Sequence, residues 1–138
     1  MSQSVLPVER PDPTPETAEF WDALKEGKFL LRKCNSCQNV IWYPRGFCQI
    51  CSSFDISWIE ASGKGTIYTF TTVHKSLWPD WAAAGPYVIA YVELEEGPRI
   101  MTNIVNADPD SVTVGAAVNV VYTPTEDGAT LYRFELAG

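Results

Sequence analysis

The C-terminal half of the chain alternates apolar and polar side chains with the two-residue period of β-strands that are buried on one face. The clearest run, residues 87–95, puts Val88, Ala90, Val92 and Leu94 on one side. Runs rich in β-branched and aromatic residues predict further strands at residues 66–74, 99–105, 117–123 and 131–136. Five short strands separated by turns predict a small Greek-key barrel of the OB (oligonucleotide/oligosaccharide-binding) type, with a small β-sandwich as the alternative.

The first of these strands, residues 66–74, alternates along its whole length. The period predicts that Ile67 and Val73 share one face, and that Tyr68 and Phe70 share the other. A glycine just before the strand is typical of a barrel that bends sharply at that point.

Residues 14–26 have the pattern of a short amphipathic helix. Thr14 can cap its N-terminus, Pro15 suits the first helical position, and Gly27 is placed to end it. The apolar side consists of Phe20, Trp21 and Leu24. A helix this short is marginal by itself, so the apolar side must pack either on its own domain or on a partner protein.

The four cysteines form two CxxC pairs, Cys34 with Cys37 and Cys48 with Cys51. Each CxxC turn brings two thiolates to one ion, and two such turns make the tetrahedral four-sulfur site that suits zinc, or iron in the rubredoxin manner. Disulfides are the alternative, but residues 1–15 lack the pattern of a secretion signal. A closed Cys₄ shell leaves no position for a substrate, so we predict a structural zinc and no catalytic metal.

Short strands flank the CxxC pairs in the arrangement of a zinc ribbon, at residues 29–33, 40–43 and 58–59. The predicted organisation has three parts: a Pro-rich arm at 1–13 that is flexible or ordered by a partner, the helix with the zinc ribbon at 14–62, and the OB barrel at 63–138. The predicted fold is therefore mostly β, with an N-terminal helix, a zinc ribbon and a C-terminal five-stranded OB-type barrel.

The net charge of −7 counts against a general nucleic-acid binder, because phosphate contacts need clustered Lys and Arg. Half of the ten basic residues nevertheless lie in and just before the metal module. They are Lys25, Lys28, Arg32, Lys33 and Arg45. These side chains form either a solvated surface around the knuckles or a docking face for an anion or an acidic partner.

The sequence shows no catalytic constellation and no membrane segment. The one histidine, His74, ends a predicted strand, and no nucleophile is paired with a base. No apolar run approaches the length of about 18 residues that a membrane span requires. Reduced thiols without an export signal predict a cytoplasmic protein.

The loop at residues 75–86 carries two tryptophans, Trp78 and Trp81. Apolar surface of this size is costly in water, at about 25 cal/mol per Å². These side chains therefore cover the mouth of the barrel, or bind a ligand or a partner protein, for which Trp is a preferred anchor.

The order of these motifs resembles that of a known family. The motifs are Phe20-Trp21, Leu31-Arg32-Lys33-Cys34, Tyr43-Pro44-Arg45, Gly63-Lys64-Gly65 and Pro86-Tyr87-Val88. From about residue 16 to residue 136 the chain is similar to the acyl-CoA-associated OB-fold family with an N-terminal rubredoxin-like zinc ribbon. Many members have a glycine directly after a CxxC pair. This chain has Gln38 and Ser52 there, so its knuckle turns are expected to differ slightly.

The resemblance implies that the cysteines hold the metal and that the chain is a non-catalytic accessory subunit. Its partner would be a separate thiolase/aldolase-type acyl-CoA enzyme of lipid, polyketide or steroid side-chain metabolism, joined as a hetero-oligomer. The residues assigned to ligand or partner contacts are Lys28, Arg32, Lys33, Arg45, Trp78 and Trp81. The basic ones would meet the phosphates of CoA or acyl-CoA, and the tryptophans would pack on its pantetheine arm or on the partner.

Two alternatives from other classes stay open. One is a zinc-ribbon OB module that binds nucleic acid, against which the net acidity and the lack of a basic, aromatic-interleaved barrel face both count. The other is a rubredoxin-like electron carrier, which would hold iron in place of zinc. Within the accessory-subunit hypothesis, CoA contacts either this chain or only the partner.

Overall fold

The computed structural model describes residues 6–138, in which a barrel packs against a short helix and a three-stranded sheet. The helices are α1 at Ala18–Lys25 and α2 at Pro79–Ala83, and a 3-10 turn covers Pro109–Ser111. The strands are β1 Leu30–Cys34, β2 Val40–Ile41, β3 Ile56–Glu60, β4 Lys64–Val73, β5 Tyr87–Leu94, β6 Arg99–Val105, β7 Ala117–Pro124 and β8 Thr130–Leu136. None of the helices in this described part is long and apolar enough to span a membrane.

The C-terminal strands close into a barrel in the order β4, β5, β6, β8, β7 and back to β4. Neighbouring strands are antiparallel except β6 and β8, which are parallel. The apolar face predicted for β5 is buried inside the barrel. Closure confirms the mostly β fold with a five-stranded OB-type barrel, and it excludes the β-sandwich, whose two sheets would keep open edges.

Strand β4 corrects one detail of the predicted pattern. Its register with β5 shifts between Ile67 and Thr69, so that Tyr68 is an extra residue in the strand. A bulge of this kind reverses the alternation of faces beyond it. Ile67 is buried, and Phe70 packs against the same core, whereas strict alternation predicts opposite faces. The prediction for Phe70 is wrong because the sequence period does not reveal an inserted residue.

The ribbon is an antiparallel sheet with β1 between β2 and β3. Strand β2 contains only two residues, so the predicted strand at 40–43 is too long. Trp42 leaves the sheet because its ring packs against Phe20 and Phe29, at 5.3 and 6.1 Å between ring centroids. Packing on the main core therefore shortens the strand between the knuckles.

Helix α1 begins one turn later than predicted. The backbone N–H of Thr14 donates to Oγ1 of Thr17 at 2.9 Å, and the carbonyl of Thr14 accepts from the N–H of Ala18 at 2.8 Å. These bonds form a separate turn, so Thr17 and not Thr14 occupies the N-cap position. The predicted end is confirmed, because Gly27 adopts the positive φ of 74° that a glycine C-cap requires.

A cluster of aromatic rings joins the helix, the ribbon and the barrel. Phe20 of α1 is fully buried. It packs edge-on against Phe29, Trp42 and Tyr132, at 5.4, 5.3 and 5.9 Å between ring centroids. Such pairs contribute about 0.5–1.5 kcal/mol each beyond the burial of their area. The apolar side of α1 therefore packs on the chain itself, which decides between the two possibilities left by the sequence.

Residues 61–63 connect the ribbon to the barrel and are hydrogen-bonded to both. The N–H of Ala61 donates to the carbonyl of Phe29, and the N–H of Val120 donates to the carbonyl of Gly63, both at 2.7 Å. Gly63 has a φ of +78°, and a Cβ there would lie 2.6 Å from Cγ1 of Val120. The connection is therefore a fixed part of both units.

The N-terminal segment at residues 6–10 forms neither helix nor strand but contacts the barrel. Leu6 is buried, and Arg133 of β8 donates a hydrogen bond to the carbonyl of Pro7. The flexible or partner-ordered character of residues 1–13 and the domain boundaries stay predictions, and the first five residues lie outside the described part of the chain.

We expect Gly65→Ala to lower the free energy of unfolding by about 1–3 kcal/mol, because β4 and β5 would have to move apart. A Cβ at Gly65 would lie 2.6 Å from the carbonyl oxygen of Glu93 and 2.7 Å from Cγ1 of Val92. Urea denaturation followed by circular dichroism measures the change. Gly46→Ala is the matched control, because its Cβ would meet only Oε2 of Glu16, at 3.8 Å. An equal effect of both substitutions would contradict the prediction.

Candidate metal centre

The four cysteines of the ribbon converge on one point. Their Sγ atoms all lie within 4.8 Å of one another. The Sγ atoms of Cys34 and Cys51 are 3.6 Å apart, and those of Cys37 and Cys48 are 3.7 Å apart. A tetrahedral ion with metal–sulfur bonds of about 2.3 Å requires sulfur–sulfur distances of about 3.8 Å. The four side chains are therefore positioned to bind one metal ion.

The two knuckles have matching backbone geometry. In each, the N–H of the residue after the second cysteine donates to the carbonyl of the first cysteine: Gln38 to Cys34 at 2.9 Å and Ser52 to Cys48 at 2.8 Å. Gln38 and Ser52 have φ values of 65° and 66°, in the left-handed region that glycine favours. The turns thus keep the conformation that a glycine would adopt, although neither residue is a glycine. The expectation of slightly different turns finds no support in these φ values.

Hydrogen bonds stabilise the thiolate form in the first knuckle. The backbone and side-chain amides of Asn39 lower the pKa of Cys37 to about 6, and the Asn39 Nδ2 lies 3.2 Å from the Cys37 Sγ. The backbone N–H of Cys37 in turn lowers the pKa of Cys34. Because metals bind thiolates and not thiols, these contacts favour metal binding by the two cysteines of the first knuckle.

The metal-binding end of the ribbon has only a small core of its own. Cys34, Cys48 and Ile41 are buried together, and this group is separate from the main core. Cys37 is half-buried, and Cys51 is exposed. So few buried side chains do not offset the conformational entropy lost by ordering two knuckles. A metal ion bound by the four cysteines would supply the stabilisation that this end of the sheet lacks.

The basic residues predicted to contact a ligand or partner have different surroundings. Arg32 stacks on Trp58, with its Cζ 3.7 Å from the ring centroid. Lys28 pairs with a neighbouring glutamate at 3.6 Å. Lys33 and Arg45 make no ion pair within residues 6–138, so their charges are available to a ligand. The binding role of all four stays a prediction.

The loop before β5 separates its two tryptophans. Trp81 lies on α2, is half-buried and packs on Tyr87 with 4.7 Å between ring centroids. Trp78 is 73% exposed and its neighbour Leu77 is 99% exposed. Packing on Tyr87 of the barrel therefore explains the position of Trp81, whereas Trp78 and Leu77 are exposed to solvent. Their contact with a partner stays a prediction.

Two apolar features were missed by sequence reasoning. The second knuckle exposes Phe47, Ile50 and Phe54, and the rings of Phe47 and Phe54 are 6.3 Å apart. Apolar residues on either side of a surface knuckle were the signal that could have indicated this patch. The second feature is a cavity of about 340 Å³ outside the barrel wall. Its lining comes from the N-terminal segment, both helices and three strands, so no local pattern marks it.

The four-sulfur cluster on a three-stranded ribbon, joined to a closed barrel, defines a zinc-ribbon protein with an OB fold. Residues 21–57 match the family model of the ChsH2 rubredoxin-like zinc ribbon domain. Residues 58–123 match the model of the ChsH2 C-terminal OB-fold domain. The chain belongs to this ChsH2-type family, which confirms the resemblance drawn from the sequence motifs.

Two curated relatives show how much of the chain the similarity covers. A DUF35 domain-containing scaffold protein from Methanothermobacter thermautotrophicus is 33% identical over 126 residues, which are 87% of this chain and 94% of that protein. A probable enoyl-CoA hydratase alpha subunit from Thermomonospora curvata is 33% identical over 128 residues, which are 93% of this chain. The present chain spans only 40% of the length of that second relative.

A solved structure extends the similarity to three dimensions. It is described as the Ltp2-ChsH2(DUF35) aldolase, and its matching chain superimposes with a TM-score of 0.82 at 32% sequence identity. The match covers 94% of the present chain and 100% of the other. The helix, the ribbon and the barrel therefore occur together in that protein as one unit.

We expect Cys51→Ala to remove the bound metal and unfold the knuckle end of the ribbon. Three thiolates leave an open coordination position, and the small core around Cys34 cannot hold the knuckles alone. Elemental analysis should show a loss from about one ion per chain. Hydrogen exchange should accelerate over residues 34–56, while Phe29 and Leu31 stay protected in the main core.

Ile50→Ala is the control for this substitution, because Ile50 lies between two of the cysteines, is 61% exposed and offers no ligand atom. It should keep both the metal and the protection. Full metal content in Cys51→Ala would contradict the prediction, and so would a loss of protection that extends through the barrel.

Proposed function

We propose that this chain is a non-catalytic accessory subunit of an acyl-CoA-processing enzyme of the thiolase/aldolase type. The observation that carries the proposal is the match over the whole length of a chain in the structure described as the Ltp2-ChsH2(DUF35) aldolase, at a TM-score of 0.82. The word scaffold in the name of the Methanothermobacter thermautotrophicus relative supports the same role, since this chain aligns with 94% of that protein.

The hydratase relative fits the proposal in a different way. The region shared with the Thermomonospora curvata protein is 40% of that protein, so its hydratase name describes a longer chain. Similar chains occur with a hydratase and with an aldolase, two different reactions. A supporting role that both enzymes need explains this better than a catalytic one. No observation on the described residues favours the nucleic-acid or the electron-carrier alternative over this role.

Zinc is the metal we propose for the four-thiolate site. Zinc has no geometric preference beyond the tetrahedron that these sulfurs define, and a closed shell of four thiolates suits a structural ion. The ion then stabilises the exposed face of the second knuckle, including Phe47 and Phe54. Elemental analysis of the purified chain distinguishes zinc from iron, and iron would favour the electron-carrier alternative.

Two exposed apolar sites are proposed to contact the partner, one in the loop before β5 and one on the second knuckle, at Phe47, Ile50 and Phe54. The first comprises Leu77 and Trp78 in the loop before β5, and large exposed apolar groups of this kind are typical of interaction sites. Lys33, directly before the first knuckle, and Arg45, three residues before the second, carry the charges proposed to meet the phosphates of acyl-CoA. This second contact would place the ligand between the ribbon and the partner.

The proposal is tested by purifying the tagged chain from its native cells and then reconstituting the complex. We expect a thiolase-like or other acyl-CoA enzyme to co-purify in a fixed ratio. That enzyme, purified alone, should lose activity and thermal stability, and adding back the chain should restore both. Full activity and an unchanged melting temperature without the chain would overturn the proposal.

We expect Trp78→Ala to weaken binding of the co-purified enzyme at least tenfold, because an exposed Trp that becomes buried in an interface typically contributes about 2 kcal/mol or more. The fold should be unaffected, since the side chain is 73% exposed. Surface plasmon resonance measures the affinity. Val114→Ala removes another exposed apolar side chain, 64% exposed in a different loop, and should leave the affinity unchanged. Equal affinities of the two variants would exclude the loop as the docking surface.

A further inference from the structure

The cavity outside the barrel wall is formed where two strands diverge. Strands β6 and β8 pair only at Ile104 with Phe134 and at Val105 with Glu135, so they separate towards the other end. The helices and the N-terminal segment close the gap and leave a volume of about 340 Å³. Most of the wall is apolar or aromatic, and it includes Trp21, Trp81, Tyr87, Ile89, Leu131 and Tyr132.

A buried positive charge lies in the wall of this cavity. Arg133 of β8 is only 7% exposed. It donates to the carbonyl of Pro7, and across the part of the chain that the structure describes no carboxylate pairs with it. Burial lowers the pKa of Arg133, but a guanidinium stays protonated at neutral pH. Buried charges are normally paired, so Arg133 lacks the counter-charge that its position requires.

Two further residues of the wall define the kind of ligand. The Nε1–H of Trp21 is buried and has no hydrogen-bond acceptor in residues 6–138, which is uncommon for a buried donor. Glu9 is the one acid in the cavity wall, and it is exposed and does not pair with Arg133. Apolar walls with a single unpaired cation suit a ligand that has an apolar body and one negative charge.

We propose that this cavity binds a small organic carboxylate, with its head group on Arg133 and its apolar body against the aromatic wall. A carboxylate matches the planar guanidinium in a two-point hydrogen bond. The volume lies at the lower end of the range for ligand pockets, about 300–1,000 Å³, so the ligand is a small one. This site goes beyond the proposed accessory role and does not depend on it.

The experiment compares two ligands of equal chain length, octanoate and octanol, on the full chain. Calorimetry gives the affinities, and the fluorescence of Trp21 and Trp81 reports occupation of the cavity. We expect octanoate to bind at least tenfold more tightly than octanol, since only octanoate supplies a charge for Arg133. Equal affinities, or binding of neither ligand, would overturn the proposal.

Arg133→Met tests the role of the charge itself. The substitution keeps an apolar stem of similar length, so octanol should bind as before while octanoate falls to the affinity of octanol. The retained octanol binding shows that the cavity is intact. Lys64→Met removes an exposed cation from β4, outside the cavity wall, and should leave the preference for octanoate unchanged. If Arg133→Met still binds octanoate more tightly than octanol, the proposal is overturned. If Arg133→Met does not fold, the comparison of octanoate with octanol on the unmodified chain decides alone.

Discussion

The packing of Phe20 and Phe29 against the barrel strand that carries Tyr132 is the interaction on which the rest of the structure depends. Helix α1 has only eight residues and would be marginal in isolation. The ribbon sheet likewise has too few residues to form a core alone. Both become stable because they complete one core whose larger part is the barrel. The three units therefore share one hydrophobic core, although their sequence patterns look separate.

The ribbon is held by two different forces along its length. At its root, Phe29 and Leu31 belong to the aromatic core, which the hydrophobic effect stabilises. At its tip, Cys34 and Cys48 form a small cluster whose stability would come mainly from the coordinated metal. The exposed apolar residues of the second knuckle lie at this tip, so an ion held by the four cysteines would fix a surface that would be mobile on a bare hairpin. A partner that binds there loses little conformational entropy in ordering it.

The sequence predicted best what depends on local spacing. The CxxC pairs defined the metal centre because two thiolates per turn is a local property. The alternation in β5 marked a strand that has no inserted residue of its own and pairs with β6 without a register shift. It failed where tertiary contacts override local patterns. The bulge at Tyr68 and the shortened β2 involve pairing or packing with residues far along the chain, which no short window contains. The late start of α1 has a local cause, because Thr14 bonds to Thr17 in a separate turn although its sequence also suits an N-cap. The cavity beside Arg133 was not predictable for the same reason, since residues from six segments meet there.

The hydrogen-bonded connection at residues 61–63 has a consequence for recognition. Because Ala61 is bonded to the base of the ribbon and Gly63 to the barrel, the two units are joined without a flexible linker, which limits how far the ribbon can move relative to the loop that carries Trp78. A protein that engages both sites gains the second contact without the entropic cost of a flexible tether. A rigid connection also cannot adjust, so a protein whose two contact sites are spaced differently would not reach both surfaces at once. If both sites contact one partner, as proposed, the short connection limits binding to partners whose contact points have the matching distance.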